Sequence, residues 1–206
     1  MSALLFLSVC AASAVADGDF CFPRGFGGTE NPICLSWARN GADFELQMNC
    51  TPDGHPEFSV GWCAVGLSTA TPPGAPLPAT WGMWPAEVFH LQATRGAAGS
   101  APVVELTDRL TVGARLPACM PTQASQLLSA HVDAATGVLS ARFRRRAELP
   151  PKLLAQGFTS LNRTLPLIAA ISNAQGALPP VATAGCAASF PAHDNEWWNN
   201  QTASFA

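Results

Sequence analysis

The 206-residue sequence has no tyrosine, and only 12% of its residues are charged. Eleven Lys and Arg stand against fourteen Asp and Glu, for a net charge of −3. Without a cationic excess to neutralise phosphates, nucleic acid is not expected as a partner. Long apolar runs are scarce too. Beyond the N-terminus no stretch approaches the ~20 residues that span a bilayer without meeting Pro, Gly or charge, so no membrane span is expected in the mature chain. Sustained apolar spacing at i, i+3 and i+4 is missing, which argues against long helices. The sequence has no Gly-x-Ser-x-Gly, His-Glu-x-x-His or Gly-x-Gly-x-x-Gly. Its acids Glu57, Glu87, Glu105 and Asp108 fall in separate segments with no evident pairing. An enzyme is therefore the weakest of the function classes.

What is present begins with "MSALLFLSVCAASAVA" (1–16), an apolar centre ending in Ala-Val-Ala before a polar Asp-Gly-Asp. This reads as a secretory signal cut after Ala16, although its first residues lack the usual positive charge. Removing it takes Cys10 and leaves Cys21, Cys34, Cys50, Cys63, Cys119 and Cys186. Six cysteines in a secreted chain imply three disulfides, with all fifteen pairings open. Three glycosylation sequons, at Asn49, Asn162 and Asn200, fit the same compartment. The first would be a poor acceptor if Cys50 is tied into a disulfide.

Strand patterns recur along the chain. "LLSAHVD" sets Leu128, Ala130 and Val132 against Ser129, His131 and Asp133. "VLSARFRRR" sets Leu139, Ala141, Phe143 and Arg145 against Ser140, Arg142, Arg144 and Arg146. The "DAATG" between them places Gly137 where a turn wants positive φ, so the pair reads as a hairpin with one buried and one wet face. On the wet face His131 and the arginines read as a solvated strand surface. Further strands are expected at 33–39 and 43–50, around an Asn40-Gly41 turn, and at 58–68, 86–92, 103–107 and 166–172. "PTQASQLL" could make a helical turn or two. Short strands separated by Gly- and Pro-containing turns imply a single all-β domain, an antiparallel sandwich or barrel. The long loops at 69–82 and 173–195 are candidate functional rims.

Several of these pieces, in order, resemble a DOMON domain, the group related to the cytochrome domain of cellobiose dehydrogenase. They are "GWCAVGLS" (61–68), "GMWPAEVFHLQ" (82–92), "VELTDRLTVG" (104–113), "GVLSARFRRRAEL" (137–149) with its Phe-x-Arg, "LIAAISNAQGAL" (167–178) and "FPAHDNEWWNNQTASF" (190–205). The resemblance implies an antiparallel β-sandwich of about ten strands over residues 30–206, preceded by an N-terminal segment at 17–29. In many members the pocket holds b-type haem with one Met and one His on the iron. Residue by residue these fall on Met83 and His193. The implied role is an extracellular domain without its own catalytic site, passing single electrons to or from an extracellular or membrane redox partner. Pro85 and Glu87 and the proline-rich 72–78 loop depart from the usual cytochrome pattern.

The residues also admit other roles. Met83 between Trp81 and Trp84 could fill an aromatic cluster, since thioethers pack well on rings. Trp81, Trp84, Trp197 and Trp198 could instead stack on sugars, which makes a non-haem carbohydrate-binding or extracellular interaction module the alternative. His55 lies in a turn. His90, seven residues after Met83, would face the opposite side of a regular strand unless a bulge at Pro85 reverses the parity, and otherwise reads as a core histidine with a satisfied hydrogen bond. Met48 and Met120 read as packing.

Overall fold

The fold is that of a computed structural model, described over residues 17–22, 32–52, 58–68, 86–98, 100–111, 118–175, 178 and 195–205. Of Phe58, Asn173, Gln175 and residues 195–202 the backbone alone is described. It is an antiparallel β-sandwich. One sheet has five strands: β1 (Gly18–Cys21), β2 (Ile33–Asn40), β3 (Asp43–Cys50), β9 (Leu139–Arg146) and β8 (Ser125–Val132), in that spatial order. The other has six: β11 (Asn195–Ser204), β10 (Thr164–Gln175), β4 (Phe58–Ser68), β5 (Ala86–Thr94), β6 (Val103–Thr111) and β7 (Ala118–Cys119). Among the described residues the one short helix, α1 (Pro151–Leu154), begins on a proline, whose fixed φ suits a first helical position.

Alternation builds the core. Ile33, Leu35 and Trp37 from β2, Phe44, Leu46 and Met48 from β3, and Leu139, Ala141 and Phe143 from β9 point inward. They meet Val65 and Leu67 of β4, Phe89 and Leu91 of β5, and Leu165, Leu167 and Ile171 of β10. The rings of Phe89 and Phe143 touch across the gap, 5.1 Å between centroids. Phe205, just past β11, tucks between Trp37 (4.8 Å) and Phe44 (5.7 Å). The Trp37 indole N–H donates to the Ser204 carbonyl at 3.1 Å, so Ser204 and Phe205 close the core by a hydrogen bond and by stacking.

Turn chemistry sets the registers. Asn40 pairs with Asp43 across a two-residue loop in which Gly41 takes φ +62°, a conformation that favours glycine. Between β8 and β9, Asp133 accepts the backbone N–H groups of Ala135 (2.7 Å) and Thr136 (3.1 Å), and Gly137 takes φ +68°. One expectation fails here. Leu128 does not alternate inward: a bulge between Leu127 and Ser129 turns Leu127 to the core and leaves Leu128 38% exposed. The stretch "PTQASQLL" likewise makes no helical turn and runs into β8 from Ser125. Met48 and Met120 are buried packing residues, as expected.

Two disulfides have different jobs. Cys21–Cys34 joins directly opposed residues of β1 and β2, stapling a four-residue edge strand to its neighbour. Cys50–Cys63 joins β3 to β4 and so crosses from one sheet to the other inside the core. Cys119 is also disulfide-bonded, and its partner lies outside the described residues. Both described bridges span 13 residues, so the loop-closure entropy they remove from the unfolded chain is equal. The difference is burial: Cys50 and Cys63 are fully buried, Cys21 and Cys34 half-buried. Replacing Cys50 and Cys63 together by Ala should therefore cost about 1–2 kcal/mol more than replacing Cys21 and Cys34, because it also leaves a void. Urea unfolding of the two double variants checks this; equal losses would mean that the inter-sheet bridge adds no packing.

Candidate functional site

Strand β5 is where the sandwich concentrates its polar groups. All nine of its residues are buried. Its odd-numbered side chains face the other sheet, and its even-numbered ones face away from it.

On the inner side Glu87 shares its parity with Phe89 and Leu91, and meets Arg145, which shares its parity with Phe143. Both are at most 1% exposed. Glu87 Oε1 accepts from Arg145 Nη2 at 2.7 Å and from Nε at 3.1 Å, and Oε2 accepts the Thr159 backbone N–H at 2.7 Å. Arg145 Nη2 also donates to the Thr159 carbonyl at 3.0 Å, and the guanidinium lies 5.5 Å from the Phe158 ring. Glu87, the second residue of β5, and the arginine of Phe-x-Arg thus join the sheets in one buried ion pair. Asp108 of β6 is a second buried acid; its Oδ2 accepts the N–H groups of Ala124 (2.5 Å) and Ser125 (2.8 Å). Burial pushes the Glu87 carboxyl up to about 7 and Asp108 adds to the rise, against the pull of Arg145 and Thr159. The acids that seemed unpaired in the sequence include this interior pair. The missed signal was parity: an arginine in phase with Phe143 needs a buried acid, and Glu87 is in phase with Phe89.

The outer face of the six-stranded sheet is also buried. Trp62 and Ala64 (β4), Ala86 and Val88 (β5) and Ile168 (β10) form an apolar cluster with Ala170 packed against it. Gly66 lies among them: a Cβ there would fall 2.6 Å from Ile168 Cγ1. Towards β6 the face turns polar, with His90, Gln92, Thr107, Arg109 and Thr111, all under 9% exposed. His90 Nδ1 and Arg109 Nε each lie 3.2 Å from the Thr107 hydroxyl. The His90 ring sits 5.5 Å from the Trp62 ring. Burial, helped by the charge of Arg109, pulls the His90 imidazole down to about 3, so it is neutral at physiological pH. The core-histidine expectation holds, with a bond to Thr107 and a place on a face that is half apolar and half polar.

Met83, His193, Cys186, Trp81, Trp84, His55 and Glu57 lie outside the described residues, as do the side chains of Trp197, Trp198 and Asn200. The strands next to the two expected ligands are described. β5 starts at Ala86, level with Ser68, and β11 starts at Asn195, level with Ile171, Cys63 and Leu91. Three strand spacings of ~4.8 Å across and five residues of ~3.3 Å along place those two starts roughly 22 Å apart. No group of three or more His, Cys, Asp or Glu able to hold a metal ion occurs among the described residues.

No family model matches the sequence, and no curated protein matches it. Among solved structures the fold is similar to the cytochrome domain of Myriococcum thermophilum cellobiose dehydrogenase, with a TM-score of 0.53 and 16% identity. The match covers 87% of this chain and 79% of that one. At this identity the likeness establishes the sandwich fold.

The two buried titrating groups make opposing demands. Glu87, raised from 4.5 to about 7, holds a proton that the unfolded chain has lost, so stability falls as pH rises through that window. His90, lowered from 6.5 to about 3, stays neutral where the unfolded chain is charged, so stability falls as pH drops from 6.5 towards 3. Between pH 4.5 and 6.5 the slopes cancel, and wild-type stability should be flat. In Glu87→Gln it should climb by roughly 1 kcal/mol per pH unit across that window, and in His90→Gln fall by as much. Chemical denaturation at four pH values reads this directly; parallel profiles for all three proteins would refute the assignment.

Proposed function

We propose that the protein is a secreted, DOMON-type electron-transfer domain that holds b-type haem between Met83 and His193. The observation that carries this reading is the likeness to a cytochrome domain over most of both chains. Two further features support it. The ordered motifs assign one thioether and one imidazole, which suit haem iron. The outer face of the six-stranded sheet has an apolar half, Trp62, Ala64, Ala86, Val88, Ile168 and Ala170, beside a polar flank. That division fits a porphyrin, which is apolar on its faces and carries two carboxylates along one edge.

Met83 and His193 would hold the haem, which would supply one-electron transfer. The chain's own part is to supply Met83 and His193 as ligands and to shield the group from water. His90, neutral and buried on the same face, is a second imidazole in a form able to coordinate. The electron partner is an extracellular or membrane redox protein. No described helix is long and apolar enough to cross a membrane.

Protein secreted or refolded with added haem should show a Soret band that shifts on dithionite reduction. Met83→Ala and His193→Ala should each lose the six-coordinate spectrum, while His90→Gln should keep it. A band kept in His193→Ala and lost in His90→Gln moves the imidazole ligand to β5. A colourless protein whose tryptophan fluorescence is quenched by sugar favours the carbohydrate-binding module.

Secretion has a second readout. Asn162 is exposed on a bend before β10, whereas Asn49 lies within paired β3 beside the disulfide-bonded Cys50. Expressed through a secretory pathway, the protein should lose one glycan's mass in Asn162→Gln and none in Asn49→Gln. Intact-mass spectrometry checks both.

A further inference from the structure

The outer face of the five-stranded sheet carries a grid of side chains set by strand register. Gln47 (β3), Arg142 (β9) and Ser129 (β8) form one row, and Asn49, Ser140 and His131 form the next. Gln47, Ser129, His131, Ser140 and Arg142, with Ala141 beneath them, line a solvent-open cavity of about 120 Å³. Each of those five polar side chains can donate a hydrogen bond. Among the described residues no carboxylate lines the cavity.

Charge along β9 and β3 is unevenly matched. Arg146 stands opposite Asp43 and Arg144 opposite Glu45, but Arg142 stands opposite the uncharged Gln47. Arg142 reaches back to Glu45 through Nη2, and Arg144 also donates to that carboxylate, at 3.5 Å. The hydrogen bond from Arg142 holds the Glu45 carboxyl below its usual range. Asp133, beyond His131, is engaged by the N–H groups of Ala135 and Thr136. Three arginines thus face two acids, and Arg142 shares the Glu45 carboxylate with Arg144. Arg142 is 54% exposed, so its remaining donors are accessible.

We propose that this cavity binds the carboxylate or sulfate group of an acidic sugar. Arg142 supplies the charge, Ser129, Ser140 and His131 bond the oxyanion, and Gln47 with its neighbour Asn49 meets the ring hydroxyls. Amide and hydroxyl groups both donate and accept, which suits a sugar better than a bare anion. The site lies on the sheet that β5 does not belong to, so it stands or falls apart from the haem reading.

The test is calorimetric titration of the full secreted chain with glucuronate, an oligogalacturonate, glucose, inorganic sulfate and tetraglutamate. The two acidic sugars should bind saturably and more tightly than the other three. Arg142→Gln should weaken them about tenfold or more, the loss expected for a charge-assisted hydrogen bond. Arg146→Gln removes the same charge from the same strand outside the cavity and should leave binding within about twofold, while Ser129→Ala/Ser140→Ala should weaken it measurably. All these side chains are at least partly exposed, and circular dichroism verifies folding of each variant. Four results would overturn the proposal: no saturable binding of acidic sugars, equal binding of glucose, equal binding of sulfate or tetraglutamate, or equal losses in Arg142→Gln and Arg146→Gln.

Discussion

Strand β5 must satisfy two interiors at once, and the rest of the molecule is arranged around that constraint. A strand buried on both faces usually reads as an unbroken apolar run. This one reads Ala-Glu-Val-Phe-His-Leu-Gln-Ala-Thr, with an acid, an imidazole and an amide all out of water. Each polar group therefore needs a specific answer from elsewhere in the chain. Glu87 is answered across the sandwich by Arg145 and by the backbone of Thr159; His90 is answered within its own sheet by Thr107.

The inner answer is costly in isolation. Desolvating a carboxylate and a guanidinium removes more hydration energy than a single ion pair returns, and such pairs commonly contribute little net stability. What they contribute is registration. Glu87 takes bonds from a strand of the opposite sheet and from the loop after α1, so three segments far apart in sequence are held to one alignment. A slip of one residue in β5 would turn Glu87 out of reach of Arg145 and drive Val88 into its place. The ion pair thus fixes which face of β5 carries Ala86, Val88 and His90, and with it the composition of the outer face.

Much of the architecture was legible because strand alternation is a strong signal. β2, β3, β4, β5, β9 and β10 appear where Leu, Val, Phe and Trp alternate or cluster between turns, and Gly41 and Gly137 sit at the turns that their positive φ demands. Legibility failed where parity is ambiguous. In Ser125-Gln126-Leu127-Leu128-Ser129 two adjacent leucines fit either phase, and the choice depends on Phe143 opposite Leu127, a contact the local sequence does not encode. The Glu87–Arg145 joint was hidden for a similar reason: its halves are 58 residues apart, and each looks polar alone. Met83 and His193 rest on the ordered motifs alone and lie outside the described residues, whereas the donor-lined cavity on the five-stranded sheet was read in the sequence as a solvated arginine face. Its distinctive feature, Arg142 opposite Gln47, exists only once β9 and β3 are in register.

The bulge at Leu128 has a consequence for life at high concentration. β8 is the last strand of its sheet and eight residues long, the kind of border on which another molecule could lay a matching strand. An extra residue at its middle breaks the even spacing of N–H and C=O groups that such a visitor would need and adds local twist. The sandwich therefore carries its own guard against ribbon-like self-association, at the cost of one leucine left facing water.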